Sequence, residues 1–99
     1  MIYEIIIQDK AVEDAQDYAV YILSESGRVA ALKWLDGLYD EIETLSQMPQ
    51  RFKIIDENDS IEIELRQLLY FSHRVIYHIN DESNSVHIIR VYHSARLLK

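Results

Sequence analysis

The sequence predicts an α+β domain: one β-strand, an α-helical hairpin, then a three- to four-stranded antiparallel meander, with the helices packed on one face of the sheet. Three observations carry this expectation. A short apolar run opens the chain at Ile2 to Ile7. Two stripes of helical spacing follow, parted only by Ser26 and Gly27. The last third then alternates apolar side chains with charged residues and histidines around a single polar turn.

Ile2 to Ile7 is nearly continuous in apolar character, which suits a strand buried on both faces and lying inside a sheet. Asp9 offers an N-cap to a first helix over about Lys10 to Glu25, where Ala11, Ala15, Tyr18, Ala19 and Ile22 recur at intervals of three and four. Ser26 and Gly27 end it, since glycine readily takes the left-handed conformation that closes a helix. From Arg28 to Met48, the residues Ala31, Leu35, Leu38, Ile42 and Leu45 form a second stripe, and Pro49 stops it. Helices so closely linked run antiparallel and cover one face of a sheet. Trp34 and Tyr39 flank the second stripe and read as packing residues rather than as a groove for a partner.

Gln50 to Ser60 is the least regular stretch, with a short strand at Phe52 to Ile55 and a polar turn at Asp56 to Ser60. Ile61, Ile63 and Leu65 alternate with Glu62, Glu64 and Arg66, the signature of a half-exposed strand. Further strands at Ser72 to Ile79 and Val86 to His93 flank the turn Asn80 to Ser85. If that turn pairs Ile79 with Val86, then Tyr77 faces Ile88 and Val75 faces Arg90. The opposite face then collects Arg74, Ile76, His78, His87, Ile89, Val91 and His93, leaving Tyr92 on the other side. Arg66 joins this group if the turn near Leu69 to Phe71 preserves parity, whereas a slip of one residue scatters it over both faces.

With 48% hydrophobic and 10% aromatic content, residues 1–99 can bury one core as a single domain without metal or disulfide. Absence of cysteine removes disulfide and thiolate chemistry and fits a reducing cytosol. No apolar run approaches the roughly 20 residues of a spanning helix, so a cytoplasmic protein without a membrane partner is expected. The formal charge of −7 opposes bulk attraction to nucleic acid. That charge is polarised, however. Residues 1–48 hold ten acids and three bases, whereas residues 66–96 hold four of the six arginines and all four histidines.

Two arginines and a histidine on one sheet face could hold a phosphodiester, with paired guanidinium donors for the phosphate and an imidazole to exchange a proton. The plainer alternative is cross-strand pairing of Arg66 and Arg74 with Glu62, Glu64 or Glu82, and His93 ending its strand in solvent. His78 and His87 face each other but lack a third ligand, so neither a metal nor another cofactor is expected. Glu62 and Glu64 read as a solvated face. Two glycines cannot build a phosphate loop, and no serine has the surroundings of a nucleophile.

The ordered set of an acidic first helix with Ala11 and Asp14 near its start, a second helix ending in LSQMP, an arginine followed by HRVIYHI, and a final VHIIRVYHSAR resembles the RelE/ParE superfamily of bacterial toxins. Its most specific parts are Arg66, the block Arg74 to Tyr77, and the pattern Val91, His93, Arg96. The resemblance implies a toxin of a type II toxin–antitoxin system, neutralised by a cognate antitoxin in a hetero-oligomer. RelE-like members cut mRNA on the ribosome, and ParE-like members poison DNA gyrase without nuclease chemistry. The ending His93 to Arg96 resembles the ParE branch, and the negative charge points the same way. A ParE-like gyrase inhibitor is therefore expected; the alternatives are a ribosome-dependent endoribonuclease and a non-toxic antitoxin-binding module. Under the nuclease alternative the resemblance assigns phosphate binding to Arg66 and Arg74 and proton transfer to His93. Under either, Arg66, Arg74, His78, His87 and Arg96 are the expected partner-binding residues.

Overall fold

The computed structural model describes residues 2–60 and 62–96. Strand β1 (Glu4–Ile7) leads into helix α1 (Asp9–Ser26), and helix α2 (Arg28–Glu43) returns alongside it. Gly27 joins them. Its φ of 91° is open to glycine, and its backbone both closes α1 and opens α2: its N–H donates to the Leu23 carbonyl at 3.1 Å, and its carbonyl accepts the Ala31 N–H at 3.2 Å. Gln8, not Asp9, occupies the N-cap of α1; Asp9 lies in the first turn, where its charge suits the helix dipole.

Helix α2 stops before the predicted Met48. The chain tightens into a 3-10 turn at Thr44–Ser46, which keeps Leu45 fully buried, and Met48 takes a left-handed φ of 48°. Arg51 stabilises this end by donating from its guanidinium to the carbonyls of Thr44, Gln47 and Met48, groups that a helix end otherwise leaves open. Pro49 starts a second 3-10 turn, Pro49–Arg51, where its fixed φ fits the first helical position.

Three further strands complete the fold: β2 (Arg66–Tyr70), β3 (His73–Asn80) and β4 (Ser85–His93). They form the expected antiparallel meander, and β1 lies parallel to β4, giving the order β1-β4-β3-β2. The first strand is therefore an edge strand and not an interior one. Its continuous apolar run arises because both faces are half-covered: Ile5 and Ile7 pack on the main core, while Ile6 pairs with His87. Among the described residues the expected strands before β2 reduce to one isolated bridge, Ile54 with Arg66, while the polar turn expected at Asp56–Ser60 takes the form of a 3-10 turn. Residues 62–65 are irregular, and Ile61 lies outside the described residues. Local bonds explain this. The Ile55 N–H donates to the Leu65 carbonyl at 2.9 Å, and the Leu65 N–H donates to Asn58 Oδ1 at 2.7 Å, folding the segment onto itself.

The main core lies between the helices and one face of the sheet, built on Leu38, Ile42, Leu45, Leu68, Val75, Tyr77, Val86 and Ile88. Each such aliphatic side chain contributes about 1.5–3 kcal/mol through burial. Ala11 and Ala15 are nearly inaccessible, and their small size lets α1 approach the sheet. Tyr77 donates its hydroxyl proton to the Pro49 carbonyl at 2.6 Å, and burial pushes its pKa up to about 12 against the pull of Arg66 and Arg51. A smaller cluster of Ile55, Leu65, Ile76 and Tyr92 occupies the other face, so the segment before β2 shelters part of the side that the helices leave open.

Candidate functional site

Two local events on the strands decide which side chains meet. The β2–β3 hairpin has a two-residue loop, Phe71 and Ser72, with Tyr70 opposite His73 and Arg66 opposite Tyr77. Even-numbered residues of β2 therefore share a face with odd-numbered residues of β3. Arg66 is on the helix side and Arg74 on the open side, so the turn does not preserve the parity that would join them. Along β3 and β4 the register runs as expected through Asn80–Ser85, Ile79–Val86, His78–His87 and Tyr77–Ile88. A bulge then intervenes, and Ile76 faces Arg90, Val75 faces Val91 instead of Arg90, and His73 faces His93. The extra residue reverses the alternation in the last part of β4. Val91 enters the main core, His93 comes to the helix side beside His73, and Tyr92 joins Arg74 on the open side.

The expected one-face cluster consequently divides. Arg74, His78 and His87 share the open face, Arg66 and His93 lie on the helix side, and Arg96 follows the end of β4, exposed to solvent.

Asp14 of α1 holds the bulge in place. Its carboxylate accepts Arg90 Nε and Nη2 at 2.8 and 2.9 Å and the Val91 backbone N–H at 2.9 Å. The hydrogen bond to Asp14 raises the Arg90 pKa further, against the opposing effect of burial. Arg90 and Arg96 both stack on the Tyr92 ring, with guanidinium carbons 4.5 and 4.4 Å from its centroid.

Each arginine expected to hold a phosphate is engaged within the chain. Arg66 donates to the Phe52 carbonyl at 2.6 Å, to the Gln50 carbonyl at 3.2 Å and to Glu64 Oε1 at 3.1 Å, the last being one of the expected carboxylate partners. Arg74 is 5% exposed. Its guanidinium forms a two-pronged pair with Glu57 and also donates to Gln67 Oε1 at 3.1 Å and to the Arg96 carbonyl at 2.7 Å. Glu57 was not among the carboxylates expected to pair with it. His78 donates from Nδ1 to the Glu64 carbonyl at 3.0 Å, and His87 Nε2 lies 3.0 Å from Ser85 Oγ.

His73 is a residue the sequence reading did not single out, although it shares the parity of Val75 and Tyr77 and so belongs to the core side. It is 4% exposed, with its ring 4.1 Å from that of Tyr18, 5.4 Å from Trp34 and 5.5 Å from His93. Burial lowers its pKa, the neighbouring His93 lowers it further, and Asp14 opposes both. A cleft of about 270 Å³ opens beside it between α1 and the end of β4, reaching Asp17, Tyr21 and Arg96. Among the described residues, no group of three or more histidines or acids is placed to hold a metal ion, and no helix is long and apolar enough to cross a membrane.

A helical hairpin is thus laid over a mixed four-stranded sheet, with arginines and histidines gathered on its last three strands. Residues 5–98 match the ParE toxin of the type II toxin–antitoxin system parDE, and the chain belongs to that family. No curated protein is similar enough in sequence to match. A chain from the chromosomal ParDE system of P. aeruginosa superposes with a TM-score of 0.75 at 14% identity, over 93% of this chain and 96% of that one. The RelBE2 toxin–antitoxin complex of Mycobacterium tuberculosis gives a TM-score of 0.58 at 24% identity, over 94% and 99%. The archaeal RelE–RelB complex of Pyrococcus horikoshii gives 0.59 at 20%, over 98% and 100%. At these identities the likenesses establish the fold.

Proposed function

We propose that this chain is a cytoplasmic, growth-inhibiting toxin that acts on DNA gyrase and is neutralised by a cognate antitoxin. Membership of the ParE toxin family supports the toxin role, and the similar structures, described as toxin–antitoxin systems and complexes, support the antitoxin partner. The choice of gyrase over RNA cleavage rests on one observation: Arg66 and Arg74 lie on opposite faces, and Arg74 is buried against Glu57 with His93 across the sheet from it. Cleaving a phosphodiester requires donors and a proton carrier converging on one phosphate. Inhibition by binding requires only a surface. In this reading His78, His87 and Arg96 contact the partner, while Arg66 and Arg74 brace the surface from within.

The test is induction with and without the antitoxin, followed by a supercoiling assay with purified gyrase. Growth arrest relieved by antitoxin and impaired supercoiling are expected. Unimpaired supercoiling together with ribosome-dependent mRNA cleavage that is lost in Arg66→Ala and His93→Ala would replace this reading with the nuclease. Antitoxin binding without growth arrest would instead leave a non-toxic binding module.

A further inference from the structure

The helix side carries a second surface, away from the arginine and histidine strip. A groove of about 610 Å³ runs between α2 and the β2–β3 turn, with Trp34, Tyr70 and Phe71 as apolar walls and Lys33, Asp40 and Glu41 at its rim. Its floor is built closely. Gly37 leaves room for the Tyr70 hydroxyl where any Cβ would collide with it, and that hydroxyl donates to the Trp34 carbonyl at 2.9 Å. Phe71 stands over the groove with 83% of its surface exposed and its ring 4.7 Å from that of Tyr70. Its φ is 50°, at the first position of a two-residue hairpin loop, where glycine ordinarily serves. A large apolar ring is thereby held in solvent on a strained backbone, and such strain is concentrated at sites that bind.

The rim selects the occupant. Helix α2 carries Asp36, Asp40, Glu41 and Glu43 against Arg28 and Lys33, and after burial itself the charges of Glu41 and Asp40 are what raise the Tyr70 pKa. A phosphate backbone would be repelled here. We propose that this groove docks a basic, apolar segment of a partner protein, with an aliphatic or aromatic side chain between Phe71 and Trp34 and a lysine or arginine on Asp40 and Glu41. This surface is separate from the strip proposed above to contact the antitoxin and gyrase, and it does not depend on which of them the toxin engages.

Trp34 is the only tryptophan of the chain, so its fluorescence reports on the groove directly. The probe is a short synthetic peptide of lysine, leucine and phenylalanine, compared with the same peptide carrying glutamate for lysine, both titrated into the full chain. A saturable Trp34 response to the basic peptide is expected, about tenfold weaker for the acidic one. Phe71→Ser should weaken binding about tenfold, as loss of a central aromatic anchor does. The double change Asp40→Lys and Glu41→Lys should reverse the preference. Glu82→Lys, at the opposite end of β3 from this turn, should leave affinity within about twofold, and circular dichroism should show every variant folded. Equal response to both peptides, indifference to Phe71→Ser, or an effect of Glu82→Lys as large as that of the rim variant would overturn the proposal. A Trp34 signal that depends on protein concentration alone, with a dimer in sedimentation that Phe71→Ser disperses, would overturn it in favour of a second copy of the chain.

Discussion

On the helix side of the sheet, Leu68, Val75, Tyr77 and Ile88 are enclosed by α1 and α2, and the one polar group among them, the Tyr77 hydroxyl, is satisfied by a single carbonyl. On the open side, Ile76 and Tyr92 share their shelter with a buried guanidinium, and the cover is an irregular segment rather than a helix. The two faces thus respond differently to the same kind of damage. An apolar core degrades in proportion to the volume removed, whereas a buried ion pair fails abruptly when one partner is lost, because the remaining charge stays out of water.

The largest effect that would break this contrast is expected at Glu57. Among the described residues, Glu57→Ala leaves the buried Arg74 guanidinium only the neutral acceptors Gln67 Oε1 and the Arg96 carbonyl, and should lower the free energy of urea unfolding by about 3–5 kcal/mol. Replacing both partners, Arg74→Met with Glu57→Leu, should recover most of that loss. If Glu57→Ala unfolds within about 1 kcal/mol of the parent, Arg74 is effectively solvated and the two faces do not differ in kind.

A smaller effect is expected at the link between the faces. Asp14→Ala removes the carboxylate that binds Arg90 and the Val91 N–H together, and should cost about 2 kcal/mol. The Val91 amide should also exchange with solvent faster, because the bulge loses its acceptor. Unchanged exchange at Val91 would show that the bulge holds without α1.

The smallest effect sharpens the comparison through pH. His73 has a folded pKa below its ordinary value of 6.5, so between the two values the unfolded chain binds more protons and stability rises with pH. The contribution of its neutral ring is present above 6.5 and is lost as pH falls through the folded value. Urea midpoints measured between pH 7.5 and 5 should therefore fall less in His73→Gln than in the parent. An identical fall in both would mean that another group sets the slope.

Much of this architecture is legible in the residues. Both helical stripes, the break at Gly27 and the polar turn after Ile79 place four of the main elements, α1, α2, β3 and β4, nearly where they lie, because each rests on local periodicity or turn chemistry. What periodicity could not convey is a change of parity. Phe71 occupies a left-handed loop position with no glycine to mark it, so the reversal that parts Arg66 from Arg74 was hidden. The β4 bulge left a faint trace: Val86 and Ile88 alternate, but the next core residue is Val91, an odd step after even ones. Reading that irregularity as a bulge would have moved His93 to the helix side. The Glu57 partner was beyond reach, since it comes from a segment whose path depends on long-range packing.

The parallel pairing of β1 with β4 has a consequence in time. Glu4 to Ile7 bond to a strand that begins at Ser85, and Tyr3 donates its hydroxyl proton to Asp81 at 2.9 Å. During synthesis the first strand emerges long before its one neighbour exists, so both of its edges wait unpaired while the helices form. The sheet can close only after nearly everything between has been translated. For a protein of the ParE toxin family, this order delays the assembly of the finished sheet until β4 has been translated.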